Sequence, residues 1–389
     1  MDKHIVALVP LSTYDQPQVD EAVRTGFSLL GGVTKFVRPE EKILLKPNLL
    51  ARALPQKAIT THPAVFSAVC RALTEAGCTH LAYGDSPGSP TTTPDKAAEG
   101  AGIAEAAAKY SLQKADFASG SVVPFPSGRT ARSFYLCKGV QETDALINVC
   151  KMKTHALERI TGAVKNLYGC ITGVNKAAGH AMFPNSDVFA DMLIDLNRCI
   201  APRLHIMDGV VAMEGNGPSS GTPTPMNVLL FSDDPVALDA VFCALVHLDP
   251  AAVPTCACGA EQGLGVMDAE HITVRTPDGD MTLEQVQSAY GREDFDVFRG
   301  TLKKGLLAKV MPLLPFLQHR PKADMKKCIG CGICEEACPV EEKAVRSGNG
   351  QKAKYDYKKC IRCYCCQEMC PVKAIEVYRH PLSKLFLGK

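Results

Sequence analysis

The feature that most constrains this chain is a cysteine spacing that occurs twice near its end. The first copy reads CIGCGICEEACP, the second reads CIRCYCCQEMCP, and both follow the pattern C-x2-C-x2-C-x3-C-P. Three closely spaced thiolates can wrap one iron–sulfur cube, whose fourth iron then takes a cysteine from the other copy. The spacing therefore predicts two [4Fe–4S] clusters, the first held by Cys328, Cys331, Cys334 and Cys370, and the second by Cys360, Cys363, Cys366 and Cys338.

This run is the one found in bacterial two-cluster ferredoxins, so a small α+β ferredoxin-like domain is predicted at the C-terminus. A zinc site would usually show two C-x2-C pairs instead. Two neighbouring clusters imply one-electron transfer. The remaining cysteine, Cys365, aligns with the apolar Ile333 of the first copy, which favours a packing role. Substitute ligation after oxidative damage, or tuning of the cluster potential through a weak S–H contact, are the alternatives.

The other nine cysteines are scattered, mostly in apolar settings, and are interpreted as core residues. Thiols that remain free for metal require a reducing compartment. No apolar run has the length of a signal peptide or of a membrane span. The sequence therefore predicts a cytoplasmic protein with at most a peripheral membrane association. A formal net charge of +2 and the absence of tryptophan give no signal for nucleic-acid binding.

Short β-rich runs alternate with helical patterns over the first 300 residues, which predicts an α/β domain with a mostly parallel sheet and flanking helices. A hairpin is expected around the PSGR sequence within residues 120–136. The main predicted elements are strands at 5–9, 42–46, 80–85 and 144–150, and helices at 17–30, 62–77, 94–110, 156–168 and 187–199.

These patterns divide the chain into four parts. An α/β domain is predicted at 1–300, a basic amphipathic linker at 301–322, a two-cluster ferredoxin domain at 323–378 and a basic tail at 379–389. The linker and the tail contain no acidic residue. Solvated packing against the domain is one interpretation of both segments, and docking of a partner or of an anionic membrane surface is the other.

The most informative polar stretch is KMKTHALERITGAVKN at 151–166, which follows the predicted strand 144–150. Ligand sites in open α/β sheets lie beyond the carboxyl ends of strands. Three lysines are therefore predicted to hold a small anion such as a carboxylate or a phosphate. A histidine in the same stretch is predicted to exchange a proton near neutral pH. The residues concerned are Lys151, Lys153, Lys165, Asn166 and His155; a solvated basic loop with one surface histidine is the alternative.

Other strand ends add candidate substrate-binding residues. The glycine-rich loop EGNGPSSG is predicted either to cradle a phosphate with its backbone N–H groups or to be an ordinary loop. Neither a Walker motif nor a G-x-G-x-x-G fingerprint is present, so no standard nucleotide signature applies. The additional candidates are Lys46, Asn48, Asp85, Ser86, Asp208 and Glu214.

Several motifs together resemble the iron–sulfur-centre proteins of domain-of-unknown-function family 362. They are LLKPNLL, TTHPAVFSAV, GDSPG, NVCKMKTH, DGVVAMEGNGP and SDDPVALDAV, with the fused cysteine module, and they span nearly the whole chain. The resemblance implies an α/β domain joined to a ferredoxin domain, and usually an anaerobic setting. It implies no particular reaction.

The stretch KTHALERITGAVKNLYG is also similar to part of lactate racemase-type proteins. In those proteins a histidine and a lysine ten residues later share the active site, and the lysine anchors a nickel-containing pincer nucleotide. His155 and Lys165 have this spacing, although the flanking Val164 and Asn166 depart from the pattern. The similarity implies that His155 and Lys165 face a common pocket, and no racemase chemistry is transferred.

The leading functional hypothesis is a ferredoxin-linked oxidoreductase. Its two clusters would pass electrons between a donor or acceptor protein and a small anionic substrate or cofactor in the α/β domain. One alternative is an electron carrier or maturation partner without a catalytic site, docked to a larger redox complex. A further alternative is an enzyme, such as an epimerase, with a cofactor anchored on Lys165.

Overall fold

The computed structural model describes residues 3–88, 92–300 and 318–381. Within them, residues up to 300 form one large mixed sheet with helices on both faces and a separate hairpin, and residues 318–381 form a small α+β unit. The predicted fold class, a mostly parallel α/β sheet with a small ferredoxin-type unit after it, is confirmed.

The strands of the larger part are β1 (His4–Pro10), β2 (Ile43–Pro47), β3 (Leu81–Tyr83), β4 (Gln113–Lys114), β5 (Gly120–Pro124), β6 (Ser133–Cys137), β7 (Ala145–His155), β8 (Arg159–Thr161), β9 (Leu204–Glu214), β10 (Thr222–Ser232), β11 (Ile272–Thr276) and β12 (Gly279–Met281). Its α-helices are α1 (Gln16–Leu29), α2 (Pro63–Glu75), α3 (Pro94–Gly100), α4 (Ile103–Lys109), α5 (Lys138–Gln141), α6 (Ala163–Asn166), α7 (Gly173–Met182), α8 (Ser186–Ile200), α9 (Pro235–Leu245), α10 (Pro254–Glu261) and α11 (Leu283–Tyr290).

The strand order of the large sheet is β12–β11–β1–β10–β9–β7–β2–β3–β4, with β8 paired to the end of β7. Strand β7 is parallel to both β2 and β9, and β2 is parallel to β3. Strand β10 is antiparallel to both of its neighbours. Strands β1, β2, β3, β7 and β9 therefore run in one direction, and their carboxyl ends meet at one edge, where ligand sites of such sheets form.

The central strands are buried on both faces, which explains their almost continuous apolar sequences. Leu44 and Leu146 belong to one apolar layer, which includes buried residues of α6, α8 and α9. Ile43 and Ile147 belong to the opposite layer, with buried residues of α1 and α2. The two apolar layers therefore hold the strands in place, so side chains at the carboxyl edge of the sheet have fixed positions.

Two predicted elements differ from the structure. The strand expected at 144–150 continues to His155, because Lys151 and Lys153 find buried partners and need not leave the sheet. The chain then turns back as β8, and only α6 and a following 3-10 turn at Leu167–Cys170 are helical where a helix at 156–168 was expected. The helix expected at 94–110 is two helices, because Gly102 adopts a left-handed φ of 73° between them.

The smaller part pairs β13 (Arg320–Ala323) with β16 (Ile375–Tyr378), and β14 (Val345–Gly348) with β15 (Gln351–Tyr355), both antiparallel. Two four-residue helices, α12 (Ile333–Glu336) and α13 (Cys365–Glu368), begin at equivalent positions of the two cysteine copies. The internal duplication read from the sequence is therefore present in the backbone.

The predicted linker at 301–322 lies outside the described residues up to residue 317, and its last three residues belong to β13. The predicted tail at 379–389 lies outside them from residue 382 onward. No helix among the described residues is long and apolar enough to cross a membrane.

Candidate functional site

Cysteines dominate the core of the smaller part. Six of the eight predicted cluster ligands belong to this core or pack against it. The Cys328 thiol accepts the backbone N–H of Ala353 at 3.5 Å, and the Cys370 thiol accepts that of Ala374 at 3.2 Å. N–H donors to cysteine sulfur are typical of iron–sulfur sites. A small cavity beside them is lined by the four cysteines predicted for the second cluster, Cys338, Cys360, Cys363 and Cys366. The residues present therefore fit [4Fe–4S] ligation.

A second, larger cavity of about 530 Å³ lies between the α/β sheet and the cysteine-rich part. On the α/β side its walls include strand-end residues and the segment from β8 to α7. On the other side the walls come from α12, α13 and the residues that follow them. The residues that line these walls include Asn48, Leu50, Asp85, Ser86, Phe117, Lys153, Lys165, Asn166, Lys176, His180, Glu336, Ala337, Cys365, Glu368 and Met369.

The walls contributed by α12 and α13 adjoin predicted cluster ligands. Ala337 precedes Cys338, and Met369 precedes Cys370. Cys365 precedes Cys366 and is only partly buried. Cys365 also forms part of the cavity wall, a position that the sequence did not indicate. A molecule in this cavity would therefore contact residues that are direct sequence neighbours of cysteines from both predicted clusters.

Three lysines meet on the α/β side of the cavity. Lys153 is 1% exposed and donates to Asn48 Oδ1 at 2.6 Å and to the Ile59 carbonyl at 2.8 Å. Burial, together with the nearby Lys165 charge, lowers the pKa of Lys153 to about 7. Lys176 donates to the Ser86 carbonyl, and burial lowers its pKa to about 8. A bound anion would favour the charged forms of both groups.

Lys165 differs from the other two lysines. It is half-buried in α6, and its ammonium group has no hydrogen bond or ion pair with any residue that the structure describes. The position of α6 is fixed from below by Asp239, whose carboxylate accepts the backbone N–H groups of Ala163 at 2.6 Å and Val164 at 3.2 Å. Lys165 is therefore a cation at the cavity wall whose backbone position is fixed and whose ammonium group lacks a partner within the described part of the chain.

The carboxylates around the cavity do not cancel these cations. Lys46 and Asp85 are both buried and form an ion pair at 2.9 Å, and Asp85 also accepts the Leu49 N–H at 2.6 Å. With Asp85 neutralised in this way, the three wall lysines face two carboxylates, those of Glu336 and Glu368. When all three lysines are charged they outnumber these two carboxylates, which suits an anionic ligand.

His155 lies behind Glu368 rather than in the cavity wall. Its Nδ1 accepts the N–H groups of Leu157 and Glu158, each at 3.1 Å, so its proton is on Nε2. That Nε2 is 2.9 Å from Glu368 Oε1. Burial and the nearby Lys165 charge lower the pKa of His155 to about 4. At neutral pH the His155 ring is therefore neutral, and it lies beside the Glu368 carboxylate.

Two further buried groups near this site lack partners. Glu158 is 0% exposed, and neither of its carboxyl oxygens has a hydrogen-bond partner among the described residues. Burial raises the pKa of Glu158 to about 8, so its carboxyl group is neutral at pH 7. His180 is 6% exposed, lines the cavity and has an unpartnered Nδ1 among the described residues. Burial lowers the pKa of His180 to about 3.

Three of the predicted substrate-binding residues lie away from the cavity. Lys151 pairs with Asp208 at 2.7 Å and donates to the Tyr14 hydroxyl at 2.9 Å, on the side of α1. A register shift between Lys151 and Lys153 in the β7–β9 pairing separates these two lysines. Glu214 accepts the backbone N–H of Asp296 at 3.0 Å. The structure therefore gives Lys151, Asp208 and Glu214 positions in other polar networks.

The remaining predicted residues do come together. Asn48, Asp85, Ser86, Lys153, Lys165 and Asn166 line the cavity, and Lys46 and His155 contact it through Asp85 and Glu368. Sequence reasoning missed Lys176, His180, Cys365 and Glu368. The first two lie on α7, which carries no strand-end signal, and the last two depend on how the cysteine-rich part docks.

The glycine-rich loop EGNGPSSG is the docking surface for α13. The side chain of Gln367 is 0% exposed and donates to the Asn216 carbonyl at 3.0 Å, to Asn216 Oδ1 at 2.9 Å and to the Gly217 carbonyl at 3.2 Å. Ser219 Oγ donates to the Glu368 carbonyl at 2.7 Å. The loop thus positions α13, and with it one wall of the cavity.

Replacing Gln367 with alanine is expected to loosen this contact, because buried carbonyl groups of the loop lose their donor. The loss corresponds to about 1–3 kcal/mol. Amide hydrogen exchange at residues 215–221 should therefore accelerate by roughly 5- to 150-fold, as measured by mass spectrometry. Gln351→Ala, at an exposed position of β15, is the matched control and should exchange like the wild type. Equal exchange in both variants would show that Gln367 does not hold the contact.

Comparisons with known proteins assign the two parts. The family model described as "Domain of unknown function (DUF362)" matches residues 43–244, about half of the chain. The chain belongs to this family. A model of the 4Fe-4S dicluster domain matches residues 324–374 of the same DUF362 protein. The C-terminal part is therefore a ferredoxin-type domain that binds [4Fe–4S] cofactors and has the capacity to transfer electrons.

A related protein is the thylakoid-associated protein sll1697 of Synechocystis sp. The two chains are 36% identical over 274 residues, which is 68% of this DUF362 protein and 81% of the relative. Among solved structures, the lactate racemase apoprotein from Thermoanaerobacterium thermosaccharolyticum aligns with a TM-score of 0.37 and 11% identity. That alignment covers 62% of this chain and 56% of the racemase chain.

Proposed function

We propose that this DUF362 protein is a ferredoxin-linked oxidoreductase. Two [4Fe–4S] clusters, held by the cysteine sets named above, exchange electrons with a small anionic molecule bound in the cavity between the two parts. The observation that supports this proposal is the composition of the larger cavity. Lysines of the α/β domain line it together with Cys365 and Met369, which adjoin predicted cluster ligands. A carrier without a substrate site would have no use for this arrangement.

When bound, the clusters supply one-electron transfer. The chain's own residues supply the rest. Lys165 offers the anion an ammonium group that has no hydrogen bond or ion pair among the described residues. Burial lowers the pKa of Lys153 to about 7 and that of Lys176 to about 8, so a bound anion increases the charged fraction of both groups and its binding takes up protons near neutral pH. Tethering the ferredoxin domain through Gln367 fixes the distance between the clusters and the anion.

Glu368 contributes a second polar group to the cavity. Burial alone would raise its pKa, but the contact with His155 and the Lys165 charge lower the pKa of Glu368 to about 2. The carboxylate therefore stays ionised and its orientation is set by His155. We propose that His155 acts as a positioning residue, whereas Lys165 is the group that touches the bound molecule.

The proposal includes an electron donor or acceptor protein and a reducing, cytoplasmic and anaerobic setting. Free buried cysteines throughout the α/β domain are compatible with a reducing compartment. Cys331 and Ile329, which lie in the first cysteine copy, are both exposed and so leave that face accessible to a partner.

The test uses anaerobically purified protein whose clusters have been reduced and freed of excess reductant. A panel of carboxylates and phosphate esters is added, and cluster reoxidation is followed by visible absorbance. We expect one class of anion to accelerate reoxidation in a saturable manner. In Lys165→Met the half-saturating concentration should rise roughly 10-fold or more, because a charge-assisted contact contributes about 1.5–3 kcal/mol.

Lys109→Met is the matched control, since Lys109 is exposed and pairs with the exposed Glu105. It should reoxidise like the wild type. If no anion in the panel accelerates reoxidation, or if Lys165→Met and Lys109→Met respond alike, the assignment of the cavity as the electron-exchange site is refuted.

A further inference from the structure

The proposed electron transfer has a stoichiometric requirement. A [4Fe–4S] cluster gives or takes one electron at a time, whereas most organic substrates gain or lose electrons in pairs. A flavin ring accepts electrons singly, stores two of them and passes them on as a pair. In a site between two clusters and an organic substrate, a flat heteroaromatic cofactor such as a flavin could convert one-electron transfer into two-electron transfer.

The cavity has a suitable size. Its volume of about 530 Å³ lies within the range of roughly 300–1,000 Å³ that holds cofactor-sized ligands. A single inorganic anion or a two-carbon acid would leave most of this space unfilled. The volume therefore favours a ligand with a substantial body in addition to its charged group.

The cavity wall carries both cationic and apolar side chains. Lys153 and Lys165 are electrostatically coupled, and ammonium groups of this kind bind phosphate. Met369 Cε and Leu50 Cδ1 lie 3.1 Å and 3.3 Å from the point that a Cβ on Gly88 would occupy, so both side chains lie beside Gly88. Phe117 adds a third apolar side chain to the lining. Met369 adjoins Cys370, a predicted cluster ligand.

A buried nitrogen of His180 is a separate observation that points to a polar ligand in the cavity. Its ring is stacked on Phe189 at 4.4 Å between centroids and lines the cavity, yet its Nδ1 has no hydrogen-bond partner among the described residues. Buried polar atoms are normally satisfied. The polar edge of a heteroaromatic ring, which carries both donors and acceptors, would satisfy this nitrogen.

We infer that the cavity binds a flat heteroaromatic cofactor carrying one phosphate group, with the chemistry of flavin mononucleotide. The phosphate lies against Lys153, Lys165 and Lys176, and the ring lies along Leu50, Phe117 and Met369 toward Cys370. This inference rests on the proposed function and specifies the molecule that receives the electrons.

The redox step balances with the parts already named. One electron from each reduced cluster and two protons from water convert the oxidised ring to its dihydro form. Both clusters return to their oxidised state, and no bond to the protein is made or broken. An electron-donor protein then reduces the clusters again.

The test is a titration of the anaerobically purified, cluster-loaded chain with flavin mononucleotide, followed by quenching of flavin fluorescence. Saturable quenching is expected for the wild type and for Lys109→Met. Riboflavin, which lacks the phosphate, and flavin mononucleotide with Lys165→Met should each bind roughly 10-fold more weakly or worse. Iron content of Lys165→Met is measured alongside and should equal that of the wild type.

Three results would overturn the inference: no saturable quenching, equal binding of riboflavin and flavin mononucleotide, or equal binding by Lys165→Met. Its failure is distinguishable from failure of the proposed function. If flavin mononucleotide does not bind but another anion reoxidises the clusters, only the cofactor class is wrong. If flavin mononucleotide binds but reduced clusters do not reduce it, the inferred electron route is wrong although the cavity does bind the cofactor.

Discussion

A Cys338→Ser variant is expected to retain about four of the roughly eight iron atoms per chain that two [4Fe–4S] clusters contain. Cys338 belongs to the first cysteine copy, but the structure places it in a cavity wall with Cys360, Cys363 and Cys366 of the second copy. Its loss should therefore remove the cluster of the second copy and leave the other in place. Iron and acid-labile sulfide are measured on anaerobically purified protein.

Cys365→Ser is the matched control for this experiment. Cys365 is the one cysteine of the second copy that is outside the C-x2-C-x2-C-x3-C pattern, and it begins α13 and lies in the wall of the larger cavity. The variant should keep about eight iron atoms, since Cys365 is in neither ligand set. A wild-type content of about four would contradict the two-cluster assignment. A loss of iron in Cys365→Ser equal to that in Cys338→Ser would contradict the ligand sets.

Lys46→Met is expected to lower the free energy of unfolding of the α/β domain by about 3–5 kcal/mol, because it leaves the Asp85 carboxylate buried without its counter-charge. Both side chains are almost fully buried, and their ion pair is 2.9 Å long. The change is followed by denaturant unfolding under anaerobic conditions. Lys42→Met, at an exposed position beside the same strand, should shift stability by less than about 0.5 kcal/mol.

The double variant Lys46→Met/Asp85→Asn separates charge from packing. An asparagine at position 85 can still accept the Leu49 N–H but carries no charge. Much of the lost stability should therefore return. If Lys46→Met is no more destabilising than Lys42→Met, Asp85 is satisfied in some other way and the ion pair does not support the strand end.

The sequence can assign candidate cluster ligands because the spacing that suggests them is local. Cys360, Cys363 and Cys366 are separated by fixed short spacings, and the duplication supplies the crossing cysteine. The carboxyl-edge rule likewise predicts that Asn48, Asp85 and Lys153 meet, because parallel strands end at one edge. Both predictions depend on few long-range details.

Other features depend on such details and have no local signal. Lys151 and Lys153 are two residues apart, and the pairing of β7 with β9 shifts register between them. Lys151 forms an ion pair with Asp208, whereas Lys153 lines the cavity. Glu368 reaches the cavity only because Gln367 docks on Asn216, 151 residues away along the chain. The sequence of the glycine-rich loop leaves a phosphate cradle and an ordinary loop open, because glycine and serine are suited to both.

The measurement that tests the central claim most directly is pulsed electron paramagnetic resonance on the reduced protein with a phosphate-bearing or isotope-labelled anion bound. We expect a dipolar coupling between the reduced clusters and the labelled nucleus in the wild type, and its loss in Lys165→Met at the same anion concentration. Saturated binding without any coupling to either cluster would contradict the claim that the cavity is where the clusters and the anion meet.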